Sequence, residues 1–118
     1  MLLDDPVHRA DQLWERSRSE ELQAPHLIDL EVAQTLRRLV LAQEVTAARA
    51  EMALSDLADF RLTRHPHHLL LGDIWRMRSN RTAYDAAYVA LAELLGAPLI
   101  TLDARMARTP SAVTIEVF

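Results

Sequence analysis

The segment "TAYDAAYVALAELLGAPLITLD" (residues 82–103) constrains the fold more than any other part of the chain. Its first fifteen residues read as a helix, with Tyr84, Tyr88, Leu91 and Leu95 on one stripe and Gly96 as the stop signal. An apolar run, "APLITLD", follows at once. Such a run suits a strand buried on both faces, as strands of a parallel sheet are. A helix delivered straight into a buried strand is half of a β-α-β unit, which places the chain in the α/β class.

The rest of the sequence fits that class. "DDPVHRADQLWERSR" predicts a helix, with Asp5 as N-cap, Pro6 at the first helical position and Val7, Ala10, Leu13 and Trp14 as its stripe. "LQAPHLI" predicts a short strand, its apolar run following the proline. "DLEVAQTLRRLVLAQ" predicts a helix packing through Val32, Ala33, Leu36, Leu39 and Val40, capped by Asp29. A further helix is expected to face inward through Ala47, Ala50, Leu54, Leu57 and Ala58. "FRLTRH" and "VTIEVF" predict strands, and "HLLLGDIWRMRS" a short helix weakened by Gly72. No linker, repeat or low-complexity tract interrupts the 118 residues, which predict a single domain over 1–118.

Composition narrows the function classes. The net charge of −4 argues against a general nucleic-acid coat protein. There is no cysteine, hence no disulfide framework and no thiolate site, which fits a cytoplasmic protein. No apolar run approaches the roughly 20 residues of a membrane helix. The first residues do not follow the basic-then-apolar plan of a signal peptide. All 13 basic residues are arginines, which with the many alanines reads first as GC-rich codon usage and only second as a means of bidentate contact with phosphate.

Three acids draw attention. Asp85 stands one turn into a nearly apolar helix and has two readings: a capping box with Thr82, or a metal ligand. Asp103 ends a predicted parallel strand, where ligands of open α/β sheets gather, but it also suits a plain turn aspartate that starts a "DARMAR" helix. Glu31 lies near the start of a helix that follows a strand, a position also favoured by the helix dipole. Taken together, the three fall on one rim of an α/β sheet. Carboxylates gathered there would repel one another unless a hard cation such as Mg²⁺ or Mn²⁺ joined them. His65, His67 and His68 in "RHPHH" lack a second ligand cluster and fit a solvated loop better than a zinc site. Trp14 and Trp75 fall in apolar stripes and suit core or interface positions. Arg76, Arg78 and Arg81 precede the Asp85 helix, as a solvated face or as contacts for RNA phosphates.

"APHLIDLEVAQTLRRL" together with "RMRSNRTAYDAAYVALAELLGAPLITLDARMAR" resembles the VapC toxins of bacterial toxin–antitoxin systems, which are PIN-domain ribonucleases. The resemblance covers nearly the whole chain. It implies a three-layer α/β/α domain with a parallel sheet, RNA cleavage dependent on Mg²⁺ or Mn²⁺, homodimers, and a VapB-type antitoxin as inhibitor. It assigns Glu31, Asp85 and Asp103 as catalytic, metal-binding acids. A fourth acid, carried by an opening strand of the type "VVDAS", has no counterpart here, and Asp4 and Asp5 do not replace it. The resemblance therefore implies a domain lacking its first, central strand. A mis-assigned start, a truncation and a natural short form all remain open. In this form the chain is expected to hold Mg²⁺ poorly and to cut RNA slowly or not at all. The rival expectation is a non-catalytic module that binds antitoxin. A phosphate-accepting regulatory domain fits less well, because no lysine is present to meet the phosphoryl group.

Overall fold

A computed structural model of the protein describes Glu15, residues 21–101 and residues 103–117. The helix expected over "DDPVHRADQLWERSR", including Leu13 and Trp14, lies outside the described residues except for Glu15. The described chain runs β1 (Leu22–Pro25), α1 (Ile28–Leu41), α2 (Ala47–Asp59), β2 (Leu62–His65), a 3-10 turn (His68–Leu70), α3 (Leu71–Arg76), α4 (Ala83–Leu95), β3 (Leu99–Thr101), a second 3-10 turn (Ala104–Arg108) and β4 (Ile115–Val117).

The strands form two parallel pairs. β1 pairs with β2 in the register Leu22–Leu62 through Pro25–His65, and β3 pairs with β4 in the register Leu99–Ile115 through Thr101–Val117. Helix α4 packs against both β1 and β3. Among the described residues no strand joins β1 to β3. The expected α/β class with parallel strands is seen. The expectation that "APLITLD" is buried on both faces is not met: Leu99, Ile100 and Thr101 are only half-buried, because β3 has a single described neighbour. β1 also differs in extent. It ends at Pro25 instead of running to Ile28, since Pro25 fixes φ and has no N–H to extend a ladder. The His26 N–H makes the last rung, to the His65 carbonyl at 2.9 Å.

The core is built on α4. Ala86, Ala87, Val89, Ala90, Leu91 and Ala92 are buried, and Leu70 and Ile74 close over them from the segment before. The expected stripe through Tyr84, Tyr88, Leu91 and Leu95 is corrected accordingly: Tyr84 is 66 % exposed, Tyr88 is half-buried and Leu95 is exposed. Alanines lack bulk, so α3, β1 and β3 can approach α4 closely, and the small side chains form the buried face. Thr82 caps the helix by accepting the Asp85 N–H at 3.1 Å. Gly96 closes it with φ 62°, a left-handed conformation that glycine adopts without penalty.

The α1–α2 hairpin is looser. Val32, Ala33, Leu36, Leu39 and Val40 face inward as expected, but all are half-buried. In α2 the inward line is Ala50, Ala53 and Leu57; Ala47, Leu54 and Ala58 are exposed, because the apolar residues of α2 spread around the helix and only one narrow line meets α1. Asp29 is not the cap of α1. The helix begins directly after the His26–Leu27 turn, with Leu27 at the N-cap, and this places Asp29 inside the first turn.

Candidate active-site rim

Glu31, Asp85 and Asp103 each occupy a turn or first helical turn at the carboxyl end of the strands. Glu31 stands in the first turn of α1, six residues past Pro25 (31 − 25 = 6). Asp85 stands in the first turn of α4, which runs back antiparallel to the strand it feeds. Asp103 follows β3 and opens the second 3-10 turn.

The three carboxylates have different surroundings. One oxygen of Glu31 accepts a hydrogen bond of 2.5 Å from the Tyr88 hydroxyl, one turn along α4 from Asp85. Burial pushes the Tyr88 phenol well above its ordinary pKa, and the Glu31 hydrogen bond and the charges of Glu31, Asp85 and Asp29 push it further. Tyr88 thus stays a protonated donor and fixes the Glu31 carboxylate. The backbone N–H of Asp85 is taken by Thr82, but no donor among the described residues reaches its carboxylate. The capping box is therefore half made: Thr82 caps, and Asp85 does not reach back. Asp103 accepts the Arg105 backbone N–H at 2.9 Å and the Arg105 guanidinium at 2.9–3.3 Å. The Arg105 side-chain hydrogen bond, then its backbone bond, hold the Asp103 carboxyl below its usual range.

The field of Asp85 reaches both neighbours, Tyr88 on the Glu31 side and Arg105 on the Asp103 side. Among the described residues no three acidic or histidine side chains come within reach of one ion. The donor set nevertheless suits a hydrated hard cation. It consists of carboxylate oxygens, one of them without a donor, and Mg²⁺ is commonly held by one or two carboxylates and several waters. The histidines of "RHPHH" gather no such set: His65 is engaged with the Gln23 side chain, and His67 and His68 are exposed.

Further residues position the rim. Asp29 binds Arg64 through both carboxylate oxygens, at 2.7 and 2.8 Å, and ties the start of α1 to β2. The three arginines ahead of α4 have separate tasks. Arg76 pairs with Glu93 at 3.0 Å and more distantly with Asp73. Arg81 donates to the carbonyls of Met106 and Thr109, at 3.2 and 3.1 Å, and clamps the segment after Asp103 to the start of α4. Arg78 lies over the Trp75 ring, 4.9 Å from its centroid. Sequence reasoning missed Tyr88 and Arg105 as partners of the acids. The spacing of Asp85 and Tyr88, i and i+3 on one helix, was the available signal for the first. A cleft of about 630 Å³ opens at the other end of β3, lined by Ala92, Gly96, Pro98, Val113 and Thr114 among others, and includes none of the three acids.

The PIN-domain family profile matches residues 1–112. The chain belongs to the PIN-domain family. Among curated proteins this PIN domain is similar to a VapC ribonuclease of Mycobacterium bovis, Mb0985, with 44 % identity over 94 residues, which span 80 % of the chain and 74 % of the relative. It is 47 % identical to ribonuclease VapC1 of Mycobacterium tuberculosis over 88 residues, 74 % of the chain and 66 % of the relative. With ribonuclease VapC3 of the same species the match extends to 115 residues at 40 % identity, 97 % of the chain and 84 % of the relative. The resemblance to VapC proteins stated from the sequence is thus met. No described helix of this PIN domain is long and apolar enough to cross a membrane.

Proposed function

We propose that this PIN domain is a toxin endoribonuclease of a type II toxin–antitoxin system, dependent on Mg²⁺ or Mn²⁺ and restrained by a VapB-type antitoxin in the cytoplasm. The observation that supports the proposal is that Glu31 and Asp85 stand in the first turns of α1 and α4 and Asp103 follows β3 in a PIN domain, with no donor on the Asp85 carboxylate among the described residues. The names of its relatives, ribonucleases of the VapC group, support the choice of RNA as substrate.

In this reading Glu31, Asp85 and Asp103 hold the cation, in part through water. A cation so bound polarises the scissile phosphate and lowers the pKa of an attacking water. The chain's own residues prepare that chemistry. Tyr88 presents the Glu31 carboxylate in one orientation. Arg105 screens Asp103 from its acidic neighbours and stands where phosphate charge can be met. Of Arg76, Arg78 and Arg81, the half-buried Arg81 acts by fixing backbone, which leaves Arg78 as the better phosphate contact.

We further propose that this 118-residue chain cleaves slowly by itself. Among the described residues the strands form two separate pairs, and no three acids reach one ion. The same observations favour a second reading, a non-catalytic module that binds antitoxin and pairs with itself. One assay separates the two. RNA is incubated with the 118-residue chain and with a chain preceded by a "VVDAS"-type strand, each with Mn²⁺ and then with chelator. The nuclease reading expects weak cleavage from the first, strong cleavage from the second, and none with chelator. Chelator-resistant cleavage would contradict metal dependence. No cleavage from either chain, with antitoxin still bound, would favour the binding module.

A further inference from the structure

We propose that Trp75 and Arg78 form a stacking platform for a base of single-stranded RNA beside the acidic rim, an inference that rests on the ribonuclease reading above. Trp75 is 67 % exposed even with the Arg78 guanidinium over its ring. Arg78 also donates to the Trp75 carbonyl at 3.1 Å, so the pair is held as one unit. Arg76 is occupied by Glu93 and Arg81 by two carbonyls, whereas Arg78 has no carboxylate partner among the described residues.

The platform borders the acids through the chain itself. Trp75 and Arg76 end α3, and the N–H groups of Asn80 and Arg81 both return to the Met77 carbonyl at 3.0 Å in a tight turn. That turn leads straight to Thr82, the cap of the helix that carries Asp85. Arg81 clamps it to Met106 and Thr109, in the segment that Asp103 opens and that also carries Arg105 and Arg108. A single strand crossing from the acids toward α3 therefore meets arginines for its phosphates and a flat indole for a base. Tryptophan and arginine planes are both surfaces on which unpaired bases stack. The competing occupant is a protein, since Leu71, one turn before Trp75, is also 59 % exposed. The guanidinium over the ring favours RNA, because it places a positive charge where an apolar partner would need a dry contact.

The test is binding of a fluorescently labelled single-stranded RNA to the full chain, with chelator present so that binding is read without cleavage. Trp75→Ala is expected to weaken binding roughly five- to a hundredfold, and Trp75→Phe, which keeps a stacking ring, to stay within a few-fold of wild type. Arg78→Gln is expected to weaken binding and flatten its salt dependence. Binding of the corresponding duplex is expected to be insensitive to Trp75→Ala. Sedimentation velocity and circular dichroism on each variant report assembly and folding. If Trp75→Ala is unfolded, quenching of Trp75 fluorescence by RNA in a Trp14→Phe background gives the answer instead, and an unquenched ring overturns the platform. Equal binding by Trp75→Ala and wild type, or a change confined to self-association, also overturns it while leaving the ribonuclease reading intact. No RNA binding by the wild-type chain would remove the ribonuclease reading and the platform with it.

Discussion

Helices α1 and α4 both place an acid on the rim, but they are held in different ways. α4 is fixed by packing: six of its residues are buried, and it carries the core cluster with Leu70 and Ile74. α1 has no buried residue and is fixed by polar ties, the Asp29–Arg64 pair and the Tyr88–Glu31 hydrogen bond. Packing resists displacement in every direction, whereas a few hydrogen bonds can open one at a time. Asp85 therefore rides on the rigid part of the molecule and Glu31 on the part that opens first. Tyr88 joins the two, because it grows from α4 and grips α1.

The strongest way to break this comparison is to open the core. Leu91→Ala should cost about 2–5 kcal/mol, the range for a buried leucine that leaves a cavity. Leu36→Ala on half-buried α1 should cost roughly 1 kcal/mol, in line with its smaller buried area. Urea denaturation of the two variants measures the difference, and equal losses would erase the contrast between the helices. Tyr88→Phe sharpens the contrast. It removes a hydrogen bond to a charged group and should cost about 1.5 kcal/mol. Hydrogen exchange should then accelerate in α1 and hardly change in α4.

Thr82→Ala should cost about 1 kcal/mol through loss of the α4 cap. The amides of Asp85 and its neighbours would then exchange faster, and the interior of α4 would not. The smallest effect is electrostatic. The Arg64 hydrogen bond lowers the pKa of Asp29 from 3.8 in spite of partial burial. A depressed carboxylate contributes stability that is present above its unfolded pKa and is lost as the pH falls through the folded value. The acid limb of a stability–pH curve should therefore flatten slightly in Asp29→Asn, with no change near neutrality.

Much of this molecule was legible in the chain. Periodicity located α1, α2 and α4, Gly96 marked the end of α4, and Thr82 marked its start. The alternation of strands and helices, and hence the parallel pairing, followed from the order of those elements. Burial was less legible. The tyrosines and leucines of α4 look like its inner face, but the alanines occupy it, since close approach of neighbours is a tertiary property that bulk alone does not reveal. In α1 the cap shifted from Asp29 to Leu27 because Pro25 ended the strand early. The three acids could be read as following strands or opening helices. Their partners could not. Tyr88 meets Glu31 across 57 positions, and that pairing depends on how α1 lies on α4. The Asp103–Arg105 fork lies within three residues, but its geometry depends on a 3-10 turn that the pattern did not separate from a helix.

In the proposed function the carboxylates of Glu31, Asp85 and Asp103 cut RNA. The most direct measurement replaces the one that no described donor reaches, Asp85, by asparagine in the chain preceded by a "VVDAS"-type strand. Cleavage of RNA in Mn²⁺ and the melting temperature are followed in parallel. The account predicts that Asp85→Asn abolishes cleavage while the melting temperature stays within a few degrees of the parent, because Thr82 still caps α4 through the backbone. Cleavage by Asp85→Asn at the parent's rate would contradict it.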